Sequence, residues 1–298
     1  MRRAVMAICL PAAIAALAGI ARADRGSIPF KPHVQIFEPN QRAMIAWNGA
    51  REILLLSTDL RASAPTKVLE VLPLPAEPEV KKGDVEVFRR ATELINRKIA
   101  QPHLAEARTR GMTKSAAQVP AGEVTFHKKI GAHDVSVTHV LDAAGFVSWV
   151  EAYLKKSGVG TPEIPPALKA VVEEYLSERF TWFVFDVVEL DEQPKTNEAI
   201  EYSFATDRLY YPLKITRTES GFTTVDLLVL TPRLLRNFPG IPASRVQLAH
   251  EPVSISRREL ESLSRPMAEL LGRQAEYKLR IWKVSGRLRD FTADLIAY

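Results

Sequence analysis

Phe180-Thr181-Trp182-Phe183-Val184-Phe185-Asp186-Val187-Val188-Glu189-Leu190 decides the fold. Both parities of this run are apolar, so a strand here is covered on both faces and sits inside a sheet. Its flanks supply the covers. Upstream, Ile130-Gly131-Ala132-His133-Asp134-Val135 reads as a short strand, followed by two helices. Asp142 caps the first, with Phe146, Trp149, Val150, Tyr153 and Leu154 on one stripe, Lys155 and Lys156 at its negative end and Gly158 at its stop. Pro165 and Pro166 open the second, whose inner face carries Leu168, Val171, Val172, Tyr175 and Leu176. Trp149 is expected to be buried against the 180–190 strand. Downstream, Ala199–Ala205, Leu209–Thr218 and Phe222–Thr231 read as strands. Glu219-Ser220-Gly221 reads as the hairpin joining the last two.

Further outward, Val34–Ile36 is a short strand. Ala43–Trp47 and Arg51–Leu56 flank Asn48-Gly49, the pair favoured by a type I′ turn. Lys67–Leu72 is the next strand, and Pro73, Pro75 and Pro78 make an extended connector after it. Asp84 caps a helix of about fourteen residues with Phe88, Ala91, Thr92 and Ile95 at helical spacing. Ala100–Gly122 lacks periodicity and reads as a mobile surface loop. Arg245–Ala249 reads as a strand. Ser256 and Glu259 form a capping box, and Pro266 implies a kink or two short helices. Strands near Tyr277–Val284 and Phe291–Tyr298 end the chain. The fold class is α+β, a mostly antiparallel sheet or sheets with helices inserted between strands.

The first residues have a different character. Arg2 and Arg3 precede an uncharged apolar run from Ala4 to Ala21, and Ala21-Arg22-Ala23 is a small-x-small processing site. Residues 1–23 are therefore expected to be a signal peptide and 24–298 an exported α+β region beginning at Asp24. Pro11 makes the run a poor spanning helix, and no later stretch is long enough to cross a bilayer. The one cysteine, Cys9, leaves with the leader, so the mature chain has neither disulfide nor thiolate ligand. Three arginines and no acidic residue leave with it, which takes the net charge from +5 to +2. That near balance gives no case for a nucleic-acid partner.

A family resemblance follows from several of these segments. Val71-Leu72-Pro73-Leu74-Pro75-Ala76-Glu77-Pro78 resembles a strand with a Pro-rich exit. The 130–135 strand with Ala143-Ala144-Gly145-Phe146-Val147-Ser148-Trp149 resembles a strand and Trp-bearing helix. Tyr211-Pro212-Leu213 resembles a Tyr-Pro-Leu strand. All three are similar to bacterial domain of unknown function 2330, over about residues 30 to 230. The resemblance implies an exported bacterial protein with no assigned activity. The Cys-rich start of many members has no counterpart here, where Asp24-Arg25-Gly26-Ser27 stands instead.

Candidate chemistry is sparse. His127, His133 and His139 share one parity, but a strand rises about 3.3 Å per residue, so His133 and His139 lie roughly 20 Å apart and cannot share one ion. No metal and no cofactor is expected, and melting should be the same with and without EDTA. His133 and Asp134 point to opposite faces if both lie on a strand. Asp186 and Asp226 interrupt apolar strands; each is either a raised-pKa acid or, the blander reading, an edge or solvent-facing residue. Neither a Gly-x-Ser-x-Gly elbow nor a phosphate or dinucleotide loop is present. Trp47, Trp149, Trp182 and Trp282 are spread along the chain; Trp149 and Trp182 read as core, while Trp282 alternates away from Tyr277, Leu279 and Ile281 and is expected to face solvent or a partner. Arg257-Arg258 and Arg280, Lys283, Arg287 and Arg289 read as solvated faces. These readings favour a periplasmic or extracellular non-catalytic domain binding a protein, glycan or envelope component. The alternative is a periplasmic hydrolase whose site assembles only in three dimensions. No catalytic residue is assigned.

Overall fold

The computed structural model describes residues 26–31, 34, 36–37, 41–58, 60–100, 126–159, 163–193, 198–219, 221–235 and 239–298. Residues 1–23, read from sequence as a signal peptide, and nearly all of 100–122, read as a surface loop, lie outside these residues. In chain order the strands are β1 (Gly26–Pro29), β2 (Ile36–Phe37), β3 (Gln41–Trp47), β4 (Arg51–Thr58), β5 (Arg61–Ala62), β6 (Thr66–Leu74) and β7 (Glu79–Lys82). After α1 (Glu86–Ala100) come β8 (Phe126–Ile130) and β9 (His133–His139), then α2 (Ala143–Lys156) and α3 (Pro166–Ser177). Next are β10 (Trp182–Leu190), β11 (Glu198–Ala205), β12 (Leu209–Tyr211), β13 (Phe222–Thr231), β14 (Val246–Leu248) and β15 (Val253–Ile255). The chain closes with α4 (Arg257–Leu263), α5 (Arg265–Leu271), β16 (Tyr277–Arg287) and β17 (Leu295–Ala297). The class is α+β, with helices between strands as the sequence implies.

Two sheets face each other. One has five antiparallel strands in the order β1-β6-β10-β9-β8. The other has eight, β14-β16-β13-β3-β4-β11-β7 with β15 also on β16. Its only parallel pair among the described residues is β3 with β13. Both sheets are apolar on both faces. Leu72, Val135, Val137 and Val184 from the first meet Ile45, Leu54, Tyr202, Leu227 and Trp282 from the second in a shared inner core. The outer face of the five-stranded sheet, with Leu69, Phe183 and Phe185, packs on Phe146, Val150, Leu168 and Tyr175 of α2 and α3. The outer face of the other, with Met44, Leu55 and Leu279, packs on Phe88, Leu260 and Met267 of α1, α4 and α5. The result is four layers, helix, sheet, sheet and helix, which is why so many strands lack polar alternation.

The caps read from sequence hold. Asp142 Oδ1 accepts from the Gly145 N–H at 2.7 Å. Ser256 and Glu259 form the reciprocal box at the start of α4. The helical region at 257–271 is two helices divided at Ser264, with Pro266 inside the first turn of α5. β10 is central and covered on both faces. Trp149 does pack on it, with its ring 4.1 Å from Phe185 and stacked on Tyr153, but it is only half-buried.

Other expectations fail for local reasons. The 48–50 turn is not type I′. Gly49 has φ 99° but Asn48 does not go positive; its Oδ1 instead accepts from the Ala50 and Arg51 N–H groups at 2.9 Å each. β6 runs through Pro73, paired with Phe183. It tolerates the proline because β1 spans only Val68 to Val71 of β6, so among the described residues no strand pairs with that edge of β6 beyond Val71. Leu209–Thr218 is not one strand. It breaks at Pro212 into β12, which pairs with β17, and a 3-10 turn at Lys214–Thr218. β12 and β13 therefore form no hairpin.

Candidate functional site

Among the described residues, two buried polar clusters and one aromatic surface stand out. The first cluster lies between the sheets. His133, Asp186 and Glu70 occupy inner-face positions of β9, β10 and β6, and all three are buried. His133 Nδ1 is 2.7 Å from Asp186 Oδ2. Its Nε2 faces Glu198 Oε2 of β11, on the opposite sheet, at 3.6 Å. Glu198 also accepts from the Ala132 N–H at 2.9 Å. It packs so tightly on the turn that a side chain at Gly131, where φ is 61°, would strike its carboxylate. The imidazole is thus held between carboxylates of two sheets.

Asp186 is therefore not an edge or solvent-facing residue. It is interior because a cation-capable ring across the strand compensates it. Asp226 is the surface residue of the two, bonded by Lys283 Nζ at 3.0 Å. His133 does not orient Asp134, which lies on the other face near the Tyr153 hydroxyl. Of the three spaced histidines, the β8–β9 register places His127 opposite Ser136 rather than beside His133. Among the described residues no group of three or more His, Cys, Asp or Glu side chains could hold a metal.

The second cluster is centred on Asp294, just before β17. Its Oδ1 accepts from the Tyr175 hydroxyl at 2.7 Å and from the Leu213 and Lys214 N–H groups at 2.9 and 2.8 Å. Its Oδ2 accepts from the Tyr210 hydroxyl at 3.3 Å. Lys214 Nζ lies 4.1 Å above the Tyr175 ring and reaches Glu178 at 2.6 Å. Burial pushes the Asp294 carboxyl up, against the hydrogen bonds that stabilise its anion, and pushes both tyrosines well up. Nearby, Glu52 of β4 accepts from the Tyr210 N–H at 2.8 Å, and burial holds it well above the usual carboxylate range. This cluster ties α3, β12 and β17 together. No single-sequence signal links Asp294 to residues eighty positions earlier.

Glu52 gives a pH-dependent expectation. Its folded pKa is raised, so the native state binds the proton more tightly than the unfolded chain does. Its destabilising effect is absent below the unfolded carboxylate pKa, about 4.3, and grows as pH rises from there towards the folded value. Its Oε1 has no hydrogen-bond partner among the described residues. Glu52→Gln keeps an acceptor for Tyr210 and removes the charge. It is expected to be more stable than the wild type by about 1 kcal/mol at pH 8, with the gain vanishing near pH 4. Urea unfolding at both pH values checks this; an equal difference at both would show that the charge is not the cause.

The aromatic surface is at the end of the sandwich where β9 stops and β10 starts. His139 and Trp182 stack at 4.6 Å between centroids and 22° between planes. Both are half-buried, so Trp182 is at the rim of the inner core rather than inside it. His139 Nε2 lies 3.1 Å from the Thr181 hydroxyl, and Leu141, two residues on, is 74% exposed. Trp282 is not a surface residue: it is 3% exposed in the inner core. Arg280 is likewise buried, whereas Lys283, Arg287 and Arg289 are exposed.

The profile of a family described as an uncharacterised protein conserved in bacteria, domain of unknown function 2330, matches residues 21–275. The chain belongs to this family. The domain 2330 match takes in both sheets up to β15 and the whole of the His133 cluster, and it stops short of Asp294. No protein of curated function matches the sequence. Solved structures of baculovirus p35 resemble it at low level. The intact protein gives a TM-score of 0.44 at 10% identity, covering 91% of this chain and 98% of that chain. A mutated form after caspase cleavage gives 0.40 at 9% identity, covering 87% and 98%. The complex with caspase-8 gives 0.38 at 9% identity, covering 89% and 96%. A likeness this distant carries no argument about the domain 2330 chain. Among the described residues no helix is long and apolar enough to cross a membrane.

Proposed function

We propose that this protein is exported and acts by binding an envelope component, through the surface around His139 and Trp182, rather than by catalysis. The stacked, half-exposed His139–Trp182 pair carries the reading. Aromatic faces combine large contact area with little loss of side-chain freedom and are the usual anchors of recognition surfaces. The closed state of the acid–base groups supports it. His133 has the pairing of a catalytic histidine, yet its ring is wholly buried between carboxylates. The basic start, apolar run and Ala-x-Ala site support export.

Two measurements test this. N-terminal sequencing of the protein from fractionated producing cells is expected to begin at Asp24; an intact Met1 in the membrane fraction would overturn export. Co-sedimentation of residues 24–298 with purified sacculi and with outer-membrane vesicles is expected to saturate. Trp182→Ala, checked for an unchanged melting transition, should weaken it at least tenfold. A chain that stays in the supernatant with both fractions, or an ester- or amide-cleaving activity lost in His133→Gln, would instead support the hydrolase.

A further inference from the structure

Asn48-Gly49 stands at the tip of the β3–β4 hairpin and is the one Asn-Gly pair in the chain. Asn40, Asn96, Asn197 and Asn237 are followed instead by Gln41, Arg97, Glu198 and Phe238. Asn48, Gly49 and Ala50 are all exposed. The Asn48 N–H donates to the Arg51 carbonyl at 3.2 Å and closes the turn. The Asn48 carboxamide is engaged at both ends. Its Oδ1 accepts from the Ala50 and Arg51 N–H groups at 2.9 Å each, and its Nδ2 donates to the Leu270 carbonyl at 3.0 Å. Two donors on one side and an acceptor on the other suit an amide in this orientation and no other. The side chain thereby ties the hairpin to the last turn of α5.

The glycine that follows is not engaged. Its N–H donates to nothing among the described residues. A side chain at Gly49 would meet nothing within 4 Å, and φ there is 99°. No Cβ shields the nitrogen, and open space surrounds it. The two N–H groups on Oδ1 also sit where negative charge develops when a nucleophile adds to Asn48 Cγ. Their 2.9 Å distances fall in the range of about 2.7–3.1 Å at which backbone donors stabilise an oxyanion. Nucleophile and oxyanion donors therefore belong to one exposed turn.

We infer that Asn48 is a site of spontaneous deamidation in the folded protein, and that the change unties the hairpin from α5. The Gly49 nitrogen gives its proton to solvent hydroxide and bonds to Asn48 Cγ. The Cγ–Nδ2 bond breaks, and that nitrogen leaves as ammonia with a proton taken from water. The succinimide so formed adds one water at either carbonyl, giving aspartate or isoaspartate at position 48. An aspartate oxygen then faces the Leu270 carbonyl, acceptor against acceptor. Isoaspartate adds a carbon to the main chain inside the turn and disturbs its closure onto Arg51 as well. The site is independent of the His139–Trp182 surface.

Peptide mapping tests this. Folded residues 24–298 are held at mildly alkaline pH for several weeks, digested with trypsin, and compared with a sample digested at the start. The Ala43–Arg51 peptide is expected to shift from amide to acid mass and to become a substrate for isoaspartyl methyltransferase. Peptides carrying the other four asparagines should stay unchanged. An unchanged Ala43–Arg51 peptide, or equal conversion at all five asparagines, would overturn the site. So would a rate that rises at low urea in proportion to the unfolded fraction, since the reaction would then belong to the unfolded chain. Asn48→Asp makes one product directly. It keeps the acceptor for the turn N–H groups and loses the donor to Leu270, so it should fold and melt about 2 °C below the wild type. Melting at or above the wild type would overturn the tie to α5.

Discussion

Asp294→Ala is expected to lower unfolding free energy by about 3–5 kcal/mol, because it strands the buried donors of a satisfied network. The carboxylate accepts from two tyrosine hydroxyls and from the Leu213 and Lys214 N–H groups. Tyr175 loses more than its acceptor. Its hydroxyl also receives the Ile215 N–H at 3.1 Å, so its position fixes the start of the 3-10 turn. Asp294→Asn should cost markedly less. The amide retains one acceptor and turns a donor towards Tyr210, whose oxygen can receive it. Urea unfolding of the two variants separates the cases. Equal losses would mean that shape, not hydrogen bonding, holds this corner together.

Phe185→Ala is expected to cost about 3–5 kcal/mol, and Trp149→Ala about 2 kcal/mol, although tryptophan is the larger side chain. Phe185 lies on the central strand at 1% exposure, with Phe146 5.8 Å away and Trp149 4.1 Å away between ring centroids. Removing it leaves a hole that the sheet backbone cannot collapse to fill. Trp149 is half-buried, and water takes part of the space it vacates. Chemical denaturation of both variants checks the order. A larger loss for Trp149→Ala would mean that the helix layer, not the sheet, dominates this side of the core.

What was legible in the sequence is what local chemistry writes. Both-parity apolarity placed β10 in the middle of a sheet, and Asp142, Pro166 and the Ser256–Glu259 box marked helix starts. What was not legible depends on which faces are covered. Trp282 alternates away from Tyr277 and Leu279, which would expose it on a strand with one dry face. The face of β16 that carries Trp282 is dry as well, because it is covered by the opposite sheet together with β12 and β17. Asp186 looked like a surface residue because its compensating partner, His133, is 53 positions earlier. A usable clue existed: His133 and Asp186 each break an apolar run, and two such breaks of complementary chemistry on different strands suggest a cross-strand pair. Lys214 and the 3-10 turn offered no such clue, since Asp294 captures their N–H groups from the far end of the chain.

The parallel ladder between β3 and β13 has a kinetic consequence. β13 joins β3 across some 180 positions of sequence, for instance Val225 beside Gln41, and it presents its other edge to β16. The ladder with β3 cannot close until the chain has been made through residue 230, the ladder with β16 not until residue 287, and the Asp294 contacts form later still. Pairings this distant in sequence incur their loop-closure entropy before any contact repays it. The inner core therefore assembles late and as a unit. Until β13 arrives β3 has an open edge, and until β16 arrives β13 has one, each able to pair with another chain, so the hazard of misassembly lies in that interval rather than in the finished fold.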